Sequence, residues 1–189
     1  MKALAINGSP RLVGNTTNIL MNLLDELNKE GFETEQVQIY EDHLNPCNDC
    51  GSCEIRGDGR CINEDDGMND LLDKMRAADI IILGSPSYFG GYTAQLKMFT
   101  ERAGYCLTAG DKGLRGKIGA AVAVQDRDGG LQVYNQLCDW MLRMGMCVVG
   151  SDPLPVVTAK GPVEWMDDKV GQEAIKNLAQ NIVSFALRD

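Results

Sequence analysis

The chain has 189 residues, 44% hydrophobic and 24% charged, which is enough apolar material for one full core and too much for a disordered chain. Its formal net charge of −9 and the lack of any Lys/Arg stripe argue against a nucleic-acid surface, which must neutralise phosphates with clustered cations. No apolar stretch is long enough to span a bilayer and the four-residue apolar run before Asn7 is too short for a secretory signal, so a cytoplasmic location with no membrane partner is expected.

Apolar, strand-like runs occupy residues 2 to 7, 34 to 40, 79 to 84, 117 to 125 and 146 to 150, with helical patterns between them. After the first run, Ile19, Leu23 and Leu27 recur four apart with Leu20 and Leu24 beside them, and Gly31 is placed to end that helix. Asp65 and Asp66 are placed to cap a helix carrying Met68, Leu71, Leu72 and Met75, which leads into a strand buried on both faces. A third helix follows Tyr92 with Leu96, Phe99 and Ala103 inward. Residues 129 to 145 and 170 to 187 supply two more, the last with Ala174, Leu178, Ile182 and Phe185 on one face.

Strand and helix in alternation imply a parallel sheet covered on both sides. The expected fold is α/β, a single domain over residues 1 to 189 with a Cys-rich, insertion-like loop at 44 to 66. Five strands fit a flavodoxin-like order, 2-1-3-4-5, or half of a dinucleotide-binding fold, and both bind ligands beyond the strand C-termini. The first loop lacks Gly-x-Gly-x-x-Gly, and without that loop an acidic residue after the second strand does not make a dinucleotide fingerprint, so the doubly wound, three-layer α/β/α flavodoxin-like fold is the better fit.

Three loops carry candidate chemistry at that edge. In the first, Ser9, Arg11, Asn15, Thr16 and Thr17 can each donate to one phosphate dianion at a positive helix N-terminus, while Gly8 and Gly14 let the backbone wrap closely. An ordinary helix cap needs neither an Arg nor a run of three donors. In the second, Pro86, Ser87, Tyr88, Phe89 and Gly90 combine aromatic faces with backbone N–H groups, suited to a planar ring, although a tight turn packing its aromatics inward has the same composition. The third, Gln125-Asp-Arg-Asp-Gly-Gly130, is polar and glycine-bearing, with Asp126, Gly129 and Gly130 as its candidates, and it also fits a charged, solvated connection.

Cys47, Cys50, Cys53 and Cys61 follow the spacing Cys-x2-Cys-x2-Cys-x7-Cys, and seven cysteines with four grouped fit a thiolate site in a reducing compartment better than disulfides. Four thiolates are the complement of a [4Fe-4S] cluster; a structural zinc also takes four, and reduced free thiols are a third reading. Gly57 and Gly59 can fold the seven-residue gap back. Cys106, Cys138 and Cys147 read as small apolar side chains and His43 as a solvated loop residue.

Gly-Ser-Pro-Arg-x-x-Gly-Asn-Thr at 8 to 16 and Pro-Ser-Tyr-Phe-Gly at 86 to 90, with Leu96, Lys97, Phe99 and Arg102 beyond, resemble the flavin reductase and iron-sulfur flavoprotein family. The cysteine segment is similar to that family's compact motif, its last gap at the long end of the pattern. The resemblance implies an FMN-binding redox protein, with the 8 to 17 loop on the phosphate and the 86 to 90 loop against the ring. It further implies a [4Fe-4S] cluster, a donor such as ferredoxin or NAD(P)H, and a homodimer or homotetramer. The cofactor supplies the redox chemistry, so no side chain is assigned as a catalytic base. A cluster-free NAD(P)H-dependent FMN or quinone reductase shares every FMN loop, and a flavin-binding regulator without turnover is a third class that no residue positively supports.

Overall fold

The computed structural model describes residues 1–110 and 113–188. In chain order the elements are β1 (Lys2–Asn7), α1 (Asn15–Lys29), β2 (Glu33–Gln38), α2 (Ser52–Arg56), α3 (Met68–Ala77), β3 (Ile80–Pro86), α4 (Ala94–Ala109), β4 (Ile118–Gln125), α5 (Gly130–Arg143), β5 (Cys147–Val148), β6 (Val156–Thr158) and α6 (Lys169–Ala186). A 3₁₀ turn, Glu164–Met166, precedes α6. The sheet runs β2-β1-β3-β4-β5 with every pairing parallel, which is the flavodoxin-like order. No helix among the described residues is long and apolar enough to cross a membrane.

The alternation of strand side chains builds two cores. Leu4, Ile6, Ile81, Leu83, Ala121 and Ala123 face α3, α4 and α5, while Ala3, Ala5, Ile80, Ile82, Ala120 and Val122 face α1 and α6. Each fully buried Leu or Ile in these layers contributes roughly 1.5–3 kcal/mol of transfer free energy. α1 ends as its sequence signals: Gly31 N–H bonds Asn28 O and Phe32 N–H bonds Leu27 O, the paired bonds of a Schellman motif.

Two expectations change. The run at 146 to 150 forms only the two-residue β5, paired with Ile118 and Gly119. The upper half of β4, Ala123 to Gln125, is paired by β6, which the sequence reading did not contain. The prolines at 153 and 155 interrupt the ladder, so the fifth position is shared by two short strands around an excursion over residues 149 to 155. Asp66 gives one oxygen to the Met68 N–H at 3.2 Å, but its main partner is Arg102, a long-range pairing rather than a simple helix cap.

Candidate functional site

The C-terminal ends of the strands open onto a cleft of about 510 Å³, lined from the loops after β1, β3, β4 and β6. The first loop is tied down on several sides. Gly8 N–H donates to Gly84 O at 2.8 Å, the Thr93 hydroxyl donates to Gly8 O at 2.6 Å, and Gln38 Nε2 donates to Ser9 O at 2.5 Å. Within the loop, Ser9 N–H ends on Asn7 Oδ1 at 2.9 Å and Ser9 Oγ accepts the Arg11 N–H at 3.2 Å. The helix behind it starts at Gly14 with no side-chain cap and no acidic residue in its first turn, leaving the N–H groups of Asn15, Thr16 and Thr17 without an intrahelical acceptor. Such an end favours an anion by about 0.3–1 kcal/mol through the helix dipole alone.

Ser9, Arg11, Asn15 and Thr16 line the cleft, Arg11 from an exposed position. Thr17 and Asn15 are not the free side-chain donors expected. The Thr17 hydroxyl donates to Arg11 O at 3.2 Å and accepts from Asn7 Nδ2 at 2.9 Å, so it braces the loop instead. Asn15 Nδ2 donates to Gly161 O at 2.8 Å, and its Oδ1 is buried with no partner in the chain. An orphaned acceptor on this cleft fits a ligand that brings hydroxyl groups as well as a phosphate, as the ribityl chain of FMN does.

Pro86, Ser87, Tyr88 and Phe89 also line the cleft. Ser87 N–H is consumed by Val124 O at 2.7 Å, so it is not a free donor to a ring. Tyr88 and Gly91 exchange both backbone bonds, at 2.9 and 3.1 Å, around a two-residue turn with φ of +52° at Phe89 and +77° at Gly90. Positive φ at both central positions is the type I′ geometry, and an aromatic residue held there costs of order 1 kcal/mol. Tyr88 and Phe89 are exposed, so the alternative in which these rings pack into the core does not hold.

Asp126 lines the third wall, but Gly90, Gly129 and Gly130 lie outside the lining residues. Gly130 N–H is taken by Gln125 Oε1 at 2.8 Å, and Gly129, at φ +82°, is packed so tightly that an added Cβ would lie 2.2 Å from Ser87 Oγ. These glycines hold the third loop against the aromatic turn. Gln125, Arg127 and Asp128 of the third loop line the cleft beside Asp126 although they were not among the expected site residues, and Val124, Ala159 and Lys160 were missed altogether. Gly161-Pro162 after the apolar Val156-Val157 is the strand-then-turn signal that would have found the last two. Arg11, Arg127 and Lys160 outnumber Asp126 and Asp128, so the cleft is locally cationic in an acidic chain.

The four grouped cysteines converge on a second site. Cys47, Cys50, Cys53 and Cys61 all line one hollow of about 170 Å³, closed by Ile62, Tyr105 and Arg102. Arg60 reaches Asp73 with two bonds of 2.7 and 2.8 Å and Arg76 donates to Gly59 O at 2.5 Å, folding back the gap before Cys61. The hydroxyl and amide of Ser52 hold the Cys50 thiol below its ordinary range, which favours a thiolate. Cys106, also on the hollow, is pushed up to about 12 by burial and by Cys61 and Cys53, and stays a protonated apolar side chain. Among the described residues no three Cys, His, Asp or Glu side chains converge tightly enough for one metal ion. Four thiols facing one hollow are the donor set that a [4Fe-4S] cluster takes, and a structural zinc takes the same number. α4 starts under the aromatic turn and brings Arg102 to this hollow, roughly 12 Å along its axis at 1.5 Å per residue.

Residues 1–160 match the family model described as NADPH-dependent FMN reductase. An iron-sulfur flavoprotein of Methanocaldococcus jannaschii is 40% identical over 96% of this chain and 95% of its own length. One from Methanosarcina thermophila is 36% identical over 96% of this chain and 93% of its own. Among solved structures, RosB with a bound 8-demethyl-8-formylriboflavin-5′-phosphate intermediate superposes with a TM-score of 0.76 at 21% identity, covering 98% of this chain and 79% of that one. A flavodoxin from the domain Archaea gives 0.65 at 17% identity over the whole of both chains. With both sites and these likenesses in hand, the chain belongs to the NADPH-dependent FMN reductase family, among its iron-sulfur flavoproteins, and is an FMN-binding, flavin-dependent oxidoreductase.

Proposed function

We propose that this protein passes electrons between a reduced donor, such as ferredoxin or NAD(P)H, and an acceptor, using FMN in the cleft and a [4Fe-4S] cluster on Cys47, Cys50, Cys53 and Cys61. The observation that carries the reading is the convergence of all four cysteines on one hollow, joined by α4 to the FMN cleft. When bound, the flavin supplies one- and two-electron chemistry and the cluster one-electron transfer.

The chain's own part is to bind and orient. The uncapped α1 N-terminus, Ser9, Thr16 and Arg11 hold the phosphate, while Asn15 Oδ1 accepts from the ribityl chain. Tyr88 and Phe89 lie against the ring, with Pro86, Ser87 and Asp126 completing the wall. Thr17, Gly90, Gly129 and Gly130 keep those loops in place. Exposed Ile55 and Ile62 beside the hollow are surface that a homodimer or homotetramer would cover, and the reducing cytoplasm suits the thiolates.

Anaerobic purification with iron, sulfide, zinc and flavin analysis tests the reading: a brown protein with iron, sulfide and FMN is expected, and zinc or empty thiols would end the cluster assignment. Cys50→Ser should lose iron and sulfide and keep FMN, because the two sites share no lining residue. Arg11→Ala should weaken FMN about tenfold, the low end for a charge-assisted bond at an exposed site, and keep the iron. Titration of FMN fluorescence reads this directly.

A cluster-free NAD(P)H-dependent FMN or quinone reductase is the second reading, supported by the match of residues 1–160 to the family model described as NADPH-dependent FMN reductase and by its sharing every residue of the FMN cleft. Steady NAD(P)H oxidation by iron-free protein would select it.

A further inference from the structure

Cys61 is held in a way that the spacing of the cysteines does not require. Its backbone N–H donates to Asn69 Oδ1 at 2.9 Å and its carbonyl accepts from Asn69 Nδ2 at 3.0 Å, a two-bond clamp from a buried residue of α3. Its Sγ accepts from Arg102 Nη2 at 3.1 Å. Arg102 is the only Lys or Arg among the described residues lining the hollow, and it is itself locked: its Nη1 donates to Asp66 Oδ2 at 2.5 Å and to Asn45 O at 3.0 Å. The Arg102 and Asp66 side chains are 2% and 1% exposed. Asp66 Oδ2 also takes the Asn45 N–H at 2.9 Å.

A buried ion pair is weak evidence for stability, since packed apolar side chains of similar volume serve as well or better. This one aims a rigid guanidinium N–H at a sulfur, and hydrogen bonds to ligand sulfurs are among the features that set the potential of an iron-sulfur centre. Reduction adds negative charge to such a centre, so a fixed cationic donor stabilises the reduced state more than the oxidised one.

We propose that Arg102, braced by Asp66 and Asn45, is a positioning residue that holds Cys61 as the ligand already in place before metal binds and raises the reduction potential of the cluster the four cysteines carry. The inference rests on the cluster reading above and adds a role that the ligand set alone does not assign.

The test is a reductive titration, followed by paramagnetic resonance and visible absorption, on the wild type, Arg102→Lys and the double variant Arg102→Gln with Asp66→Asn. The double variant removes both charges together and leaves neither one buried alone. Each protein is also assayed for iron, sulfide, FMN and far-ultraviolet circular dichroism. In the double variant the midpoint is expected to move to more negative potential with the fold and FMN retained; Arg102→Lys, a point charge without the fork, should move it the same way by less. If the double variant loses iron while keeping FMN, the positioning role is supported and Arg102→Lys decides the potential. An unmoved midpoint in an iron-replete variant overturns the inference alone, as does loss of both fold and iron in the double variant with an unmoved midpoint in Arg102→Lys. A wild type without iron and sulfide removes the cluster reading, and the inference with it.

Discussion

Arg102→Met is expected to destabilise the fold by about 3–5 kcal/mol at neutral pH, because it strands the Asp66 carboxylate in a site where its side chain is 1% exposed. Urea unfolding followed by circular dichroism measures this. The pH dependence distinguishes a stranded charge from a simple packing loss. In the wild type, burial pushes Asp66 up, but the Arg102 guanidinium and the N–H groups of Asn45 and Met68 outweigh it, so the carboxyl lies below its ordinary range. A carboxylate with a depressed folded-state pKa contributes stability that is complete above the unfolded value, near 4, and is lost as pH falls through the lower folded value. The wild type should therefore lose this contribution only in acid. Without Arg102, burial is opposed only by the N–H groups of Asn45 and Met68, so the folded value rises from its wild-type position and protonation relieves the penalty as pH falls. A deficit in Arg102→Met as large at pH 4.5 as at pH 7 would contradict the charge argument.

Gly129→Val is expected to weaken FMN binding at least about tenfold while the sheet and its helices stay intact. At φ +82° an added Cβ would lie 2.2 Å from Ser87 Oγ and 3.0 Å from Gly90 Cα, and a β-branched residue is strained in that conformation whatever the space. The atoms it meets belong to the turn that presents Tyr88 and Phe89, so the clash displaces the wall of the cleft rather than a remote surface. Rotating the Ser87 hydroxyl away would relieve only that contact, because the Gly90 Cα and N at 3.0 and 3.3 Å are backbone atoms of the turn itself. Equilibrium titration of apoprotein with FMN reads the loss, and circular dichroism checks the fold. Wild-type affinity in this variant would show that the third loop does not support the aromatic turn.

Much of the molecule was legible in local pattern. Apolar runs alternating with helical periodicity specified the parallel sheet, since a strand buried on both faces and a helix buried on one leave different spacings in the chain. Arg11 and Ser9 beside an apolar run, and four cysteines within fifteen residues, carried their chemistry in neighbouring positions. Their identity needed no distant partner to be recognised. β6 was lost because a three-residue run between prolines lies below the length at which periodicity can be read.

The roles that changed are those set by partners far along the chain. Asn15 answers to Gly161, 146 residues away, and Arg102 answers to Asp66 and Cys61, 36 and 41 residues away. Residue type and spacing therefore made the strand–helix alternation, the Ser9–Arg11 loop and the four-cysteine segment legible, because each is written in neighbouring positions. Folding assigned the duties within them: Asn15 and Thr17 became braces, Gly129 a spacer, and Arg102 a donor to sulfur. A hydrogen bond is satisfied by whichever group packing brings within about 3 Å, and local sequence does not encode that distance.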